Sequence, residues 1–149
     1  MKKIIVTEGT VGQVFNLLPG LPEITGHYTR EDYENRLMPR QHLILIASID
    51  SQAVGFKAGY AQPGEKYFYS WMGGVLPEFR RMGIASKLAG KMEQWAFLQG
   101  FDTLRFKTWN KHTNMILLGI NRGYLITGFE KKYNIEENRI IFEKQLGIC

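Results

Sequence analysis

The run Met72-Gly-Gly-Val-Leu-Pro-Glu-Phe-Arg-Arg-Met-Gly-Ile-Ala-Ser86 decides how this chain is read. An aromatic, strand-forming segment, Tyr67 to Met72, enters it and meets Gly73 and Gly74, which suit a bulge or the close approach of a ligand to the backbone. Pro77 makes a turn, and Arg80, Arg81 and Gly83 follow. From Ile84 the apolar residues Ile84, Leu88, Met92, Trp95 and Ala96 recur at three- and four-residue steps, while Lys87, Lys91 and Gln94 occupy another face. That is an amphipathic helix. A glycine-containing turn that opens a helix presents unpaired backbone N–H groups and the positive end of the helix dipole, a setting that suits phosphate. Arg80 and Arg81 add charge at the same place. Physics alone therefore reads a strand–turn–helix site for a phosphorylated ligand.

The flanking sequence supplies the other elements. Lys2 to Val6 reads as a first strand. Thr10 with Gln13 is a capping-box signal for a helix that Pro19 stops, and Thr29 with Asp32 caps a second helix closed by Pro39. Leu21 to Tyr28 between them is a loop. Leu43 to Ile49 is apolar throughout, as in a strand buried on both faces. Asp50-Ser51-Gln52 turns the chain into Val54 to Tyr60, and the Pro63-Gly64 turn leads to Tyr67 to Val75. Past the central helix, which Gly100 ends, Leu104 to Thr108 alternates as a half-buried strand. A helix over 112–122 stops at Gly123, and two final strands, Leu125 to Tyr133 and Arg139 to Leu146, flank a polar turn. The order is β-α-α-β-β-β-α-β-α-β-β, an α/β chain with a mixed sheet and a strand–helix–strand crossover in its second half.

At 149 residues with 44% hydrophobic content, the sequence reads as one folded, soluble domain spanning residues 1–149. No stretch approaches the ~20 apolar residues needed to span a membrane, and the apolar run after Lys2 and Lys3 is too short for a signal peptide. One cysteine, Cys149, allows no internal disulfide and suits a reducing compartment, so a cytoplasmic location is expected. The net charge of +5 is spread over scattered residues, without the basic stripe of a nucleic-acid binder, so neither nucleic acid nor membrane is expected as a partner. No His, Cys or Asp cluster has metal-ligand spacing, and no metal is expected.

Arg80-Arg81-Met82-Gly83-Ile84-Ala85 resembles the Gln/Arg-x-x-Gly-x-Gly/Ala motif of the GCN5-related N-acetyltransferases (GNAT family), and the element order matches that family over essentially the whole chain. The resemblance implies acetyl-CoA as co-substrate. Gly74, Val75 and Leu76 would pair with the pantetheine arm like an added strand. Arg80, Arg81, Met82, Gly83, Ile84, Ala85 and Ser86 would surround the pyrophosphate. Gly73-Gly74 is expected to bulge and so part this strand from the Leu104–Thr108 strand. A second family signature resembles the stretch from Trp109 to Tyr124. Anchored on Gly123-Tyr124, it puts His112 where the family has a cofactor-contacting Asn. It puts Gly119 where many members carry a tyrosine, their general acid for the departing thiolate. No hydroxyl is available there.

The implied reaction is direct transfer of an acetyl group to a primary amine of a small-molecule or peptide acceptor. Proton handling then falls to Tyr69 and His112, each of which also has a plain structural reading, as a packed sheet aromatic and a helix-start residue. His27 and His42 read as loop and strand-edge residues, and Tyr124 as core. Cys149, being terminal, is no nucleophile in a family that transfers directly. The acceptor should enter beside the first two helices and the Pro63-Gly64 turn, where Glu23, Glu31 and Asp32 would favour a cation. The alternative reading is a catalytically weak or inactive acyl-CoA-binding module with a regulatory role. The resemblance also implies homodimers, for which the sequence marks no interface.

Overall fold

The computed structural model describes residues 2–147; Cys149 lies outside them. β1 (Ile4–Glu8) leads to the paired helices α1 (Val11–Leu17) and α2 (Arg30–Leu37). Both helices open on capping boxes. Thr10 accepts from the Gln13 N–H and Thr29 from the Asp32 N–H, and each third residue bonds back to the cap. The strands β2 (His42–Ile49), β3 (Gln52–Ala61) and β4 (Tyr67–Val75) then form an antiparallel meander. Asp50 and Ser51 join β2 to β3 with φ of 50° and 65°, the left-handed pair that a tight hairpin needs. α3 (Ile84–Leu98) crosses over to β5 (Thr103–Trp109), which pairs parallel with β4. α4 (Thr113–Asn121) and the hairpin of β6 (Leu125–Glu130) and β7 (Arg139–Gln145) complete the chain.

The seven strands form one sheet in the order β1-β2-β3-β4-β5-β7-β6. The helices cover both of its faces. α1 and α2 lie over a cluster that includes Tyr33, Ile44, Ile46, Phe56 and Tyr60. α3 sits on the other face, where Ile84, Leu88, Met92 and Ala96 meet Leu45, Phe68 and Leu104. β2 lies between these layers and is buried along nearly its whole length, which is why its sequence shows no alternation.

Several elements differ from the sequence reading. β1 starts and ends two residues later, and β6 stops at Glu130 because the segment up to Asn138 turns, with a single 3-10 turn at Ile135–Glu137. Tyr33 of α2 is fully buried against Phe15 and Trp71. The expected bulge is not at the glycines. Ala58 faces Met72 while Gly59 faces Ser70, so the extra residue is Trp71. The glycines admit neighbours instead. A Cβ on Gly73 would stand 3.1 Å from the Phe56 carbonyl oxygen, and one on Gly74 would stand 3.1 Å from Leu21.

Candidate active site

β4 and β5 pair only from Tyr67↔Thr103 to Ser70↔Phe106. Beyond that rung, among the described residues, β4 continues to Val75 paired with β3 alone, while β5 runs on to Trp109 paired with β7. Two parallel neighbours thus part at Ser70, where the Trp71 bulge changes the twist of β4. The gap opens towards the β4–α3 turn.

The turn itself is tightly wound. Arg80 caps a 3-10 turn over Pro77–Phe79, Arg81 takes φ 64°, and Gly83 takes φ 81° as the N-cap of α3. A non-glycine residue in the left-handed region costs about 1–2 kcal/mol, so Arg81 is held there by the turn around it. The winding turns successive backbone amides outwards. Among the described residues, the N–H groups from Arg81 to Ser86 have no hydrogen-bond partner, whereas the next, of Lys87, bonds to the Gly83 carbonyl. Free amides at the N-terminus of a 15-residue helix fit a pyrophosphate without help from a metal. Arg80 donates from Nε to the Val75 carbonyl at 3.0 Å and pairs through Nη2 with Glu23. Its guanidinium is thereby aimed across the end of β4.

His112 is the N-cap residue of α4; its carbonyl accepts from the Met115 and Ile116 N–H groups, but its side chain makes no cap hydrogen bond. Its ring stacks on Trp109 at 5.4 Å, and Trp109 in turn stacks on His27 at 6.1 Å. Burial, reinforced by Lys111 and His27 and opposed by Glu23, lowers the His112 pKa below the ordinary value, so the imidazole is neutral at pH 7. Tyr69 lies on the sheet face covered by α1 and α2, edge-on to Tyr60 at 5.5 Å. Burial, with Tyr60 adding to it, pushes its phenol up to about 12. It would therefore act as a proton donor or relay and not as a base. Tyr69 and His112 thus sit at the two strands that part, one on β4 and one just beyond β5. His42 is held by the Arg40 carbonyl at 3.0 Å.

Two of the three acids expected to attract a cation are engaged in bonds of their own. Glu23 pairs with Arg80, and Asp32 accepts from the Thr29 N–H at 2.8 Å. The neighbouring cavity of about 470 Å³ is lined by His27, Tyr28, Asp32, Asn35, Arg36 and Arg40. Arg36 lies 4.6 Å from the centre of the Trp71 ring and 5.2 Å from that of Tyr28.

Sequence reasoning missed a charged network on the opposite face. Glu93 of α3, only 9% exposed, accepts from Arg122 Nη2 at 2.8 Å and Nε at 3.1 Å, from Tyr124 Oη at 2.9 Å and from Lys144 Nζ at 3.1 Å. Arg122 also donates to Ser86 Oγ at 2.7 Å. Burial alone would raise the Glu93 pKa, but the bonds from Arg122, Lys144 and Tyr124 outweigh it and hold the carboxyl below its usual range. The network fastens the first turns of α3 to the end of α4 and to β7, across the gap. Gly119 faces this interior too. A Cβ there would come within 2.8 Å of Phe106 Cζ, so that ring fills the space a side chain would need.

The model of the Acetyltransferase (GNAT) family matches residues 13–118. The chain belongs to the GNAT acetyltransferase family. No curated protein matches the sequence significantly. Its fold is shared with solved structures of low identity. Ard1 from Thermoplasma volcanium superposes with a TM-score of 0.82 at 17% identity, over 97% of this chain and 99% of that one. The ribosomal-protein-alanine N-acetyltransferase from Brucella melitensis gives 0.77 at 17% identity, over 95% and 99%. yncA from Salmonella typhimurium, solved with its cofactor acetyl-CoA, gives 0.78 at 10% identity, over 97% and 94%. The strand–turn–helix run from Met72 to Ser86 borders the gap in the sheet. Among the described residues no helix is long and apolar enough to cross a membrane.

Proposed function

We propose that this protein transfers the acetyl group of acetyl-CoA directly to a primary amine. The observation that carries the reading is the array of unpartnered N–H groups from Arg81 to Ser86 at the start of α3, with Arg80 beside it, where β4 and β5 part. Pyrophosphate would lie against those amides, Gly83 giving it close approach, and the pantetheine arm along Gly74, Val75 and Leu76. The thioester would then reach the rung at Ser70 and Phe106. There the acceptor nitrogen attacks the thioester carbon, the C–N bond forms and the C–S bond breaks. His112, neutral at pH 7, would accept the acceptor's proton, with Tyr69 as a relay.

The amine would approach from the face of α1 and α2, past Trp71. With Glu23 and Asp32 engaged, and Arg36 and Arg40 lining the cavity there, that face suits an amine whose remaining structure bears an anionic group more than it suits a polycation. Gly119, lacking the hydroxyl many relatives place at this position, supports the alternative of an acyl-CoA-binding module without turnover.

Calorimetric titration with acetyl-CoA, against an Arg80→Ala, Gly83→Glu double variant, tests the cofactor site. Binding by the wild type that is lost in the variant is expected. A folded wild type that binds no acetyl-CoA refutes the proposal. Thiol release across a panel of amines then separates the enzyme from the binding module, and the expected result is turnover with amines that also carry a carboxylate.

A further inference from the structure

The gap between β4 and β5 holds a charged side chain that neither the motif nor the network above uses. Lys57 stands on β3, opposite Gly73 of β4. Its strand neighbours Phe56 and Ala58 point into the α1–α2 layer, so Lys57 points to the side of α3 and α4. The two positions flanking it on that face are Gly55 and Gly59, and its cross-strand partner is also a glycine. A Cβ on Gly73 would stand 3.6 Å from Lys57 Cγ. With no side chain beside it to hold it upright, the stem lies across the β4 backbone. Lys57 shares a narrow cavity, about 10 Å³, with Ser70 of β4 and with residues beyond that strand, Phe106, Gly119, Arg122 and Tyr124. Ser70 and Phe106 are the last rung before the strands part. Gly119 is the position at which the family resemblance calls for a hydroxyl.

Resting on the acetyl-transfer reading, we infer that Lys57 is the general acid of the reaction, delivering a proton from its ammonium group to the sulfur that leaves as the thioester breaks. The acceptor nitrogen bonds to the acyl carbon, the C–S electron pair passes to sulfur, and an N–H proton of Lys57 follows it to give free thiol. Lys57, left neutral, regains a proton from water, and the acceptor loses its own on the other face of the sheet. This places the acid where the absent hydroxyl would have been, supplied from β3 instead of α4.

The surroundings favour such a role. Among the described residues Lys57 has no hydrogen bond or ion pair. The carboxylate that acts on it, Glu93 of α3, is already bonded by Arg122 at the end of α4, by Lys144 of β7 and by Tyr124 before β6. Loss of water around the amine lowers the Lys57 pKa to about 8, with Glu93 opposing and Arg122 assisting. An ammonium so weakened is a competent donor to a departing alkyl thiolate, a free cysteine thiol having a pKa of about 8.5 for comparison.

The test joins kinetics to a direct view of the lysine. With acetyl-CoA and any amine the wild type turns over, kcat should fall as pH rises through about 8, because the acid is then lost. Lys57→Met should lower kcat by about 10²–10⁴-fold and abolish that limb, with the calorimetric affinity for acetyl-CoA unchanged. Independently of activity, NMR of wild-type protein labelled at the lysine ε-carbons should show one resonance titrating near 8, and it should shift on addition of CoA. A Lys57→Met variant with wild-type kcat and pH profile overturns the inference. So does a Lys57 resonance that CoA binding leaves unmoved, or mass-spectrometric detection of an acetyl group on Lys57 after turnover, which would make it an acceptor. Failure of the protein to bind CoA at all would instead remove the acetyl-transfer reading beneath it.

Discussion

Replacing Glu93 by glutamine removes one negative charge while keeping size and shape. The carboxylate side chain is 11% exposed, and its cationic partners Arg122 and Lys144 are 21% and 27% exposed. Four donors converge on it. The amide of Glu93→Gln keeps one acceptor oxygen and turns an N–H2 group towards donors, so at least one cation is left half-buried without a counter-charge. Breaking a buried pair in this way costs about 3–5 kcal/mol. Set against a typical total of about 5–15 kcal/mol, that is a large share, and at about 2–4 °C per kcal/mol the melting midpoint should fall by about 6–20 °C. Urea unfolding of both proteins at pH 7 measures it. Asp50→Asn is the control, because the Lys2–Asp50 pair is 66% and 70% exposed and should be worth less than about 1 kcal/mol. The sign of the pH dependence is fixed by the lowered carboxyl. Its folded pKa lies below the ordinary 4.5, so the stabilisation is complete above 4.5 and is lost as pH falls through the folded value. The gap between wild type and variant should close on acidification. A cost below about 1 kcal/mol at pH 7, indistinguishable from the control, would refute the reasoning.

Glu23→Gln frees Arg80 from a carboxylate that would compete with pyrophosphate. The pair is about two-fifths exposed on each side and worth about 0.2–1 kcal/mol, so calorimetry should show acetyl-CoA binding tightened by about 1.5–5-fold, and weaker binding would count against it. Gly83→Ala meets no atom within 4 Å but must hold φ 81°, and should lower unfolding stability by about 1–2 kcal/mol through backbone strain alone; an unchanged denaturation midpoint would show that the turn relaxes. Gly119→Tyr should not restore the relatives' hydroxyl. With Phe106 Cζ at 2.8 Å from the new Cβ, it should overpack the core and cost about 1–3 kcal/mol, and a stable variant of raised kcat would prove otherwise.

What could be read from the sequence was what local chemistry determines. Thr10 with Gln13 and Thr29 with Asp32 mark helix starts because both partners of each cap lie within one turn. Gly100 and Gly123 mark helix ends because their φ values, 95° and 87°, suit little else. The motif from Arg80 to Ala85 is likewise one continuous turn. What could not be read depends on pairings between distant segments. Trp71 rather than Gly73 takes the bulge because β3 fixes its register, and that bulge keeps the indole among Tyr28, Tyr33 and Tyr60. Glu93 meets Arg122 from 29 residues away and Lys144 from 51, separations at which no sequence period operates. Lys57 did leave a trace: one lysine between Gly55 and Gly59 in a strand otherwise apolar on that face.

The division of β4 at Ser70 explains why the two halves of acetyl transfer would need different surroundings. Towards α1 and α2 the strand shows Tyr69 and Trp71, and burial pushes both Tyr69 and Tyr33 up to about 12. Those phenols stay neutral, and the Arg36 guanidinium lies over the neighbouring Trp71 and Tyr28 rings, so this face can order an acceptor and relay its proton without holding a phenolate. Towards α3 and α4 the same strand shows Ser70 and the bare backbone of Gly73, with Lys57 laid across it. A departing thiolate is an anion and needs a cation or a proton; on the proposed reading Lys57 would supply it from that face, where the carboxylate of Glu93 is already occupied. Alternation along one strand puts the two environments back to back, and the parting of β4 from β5 lets a single carbonyl carbon lie between them.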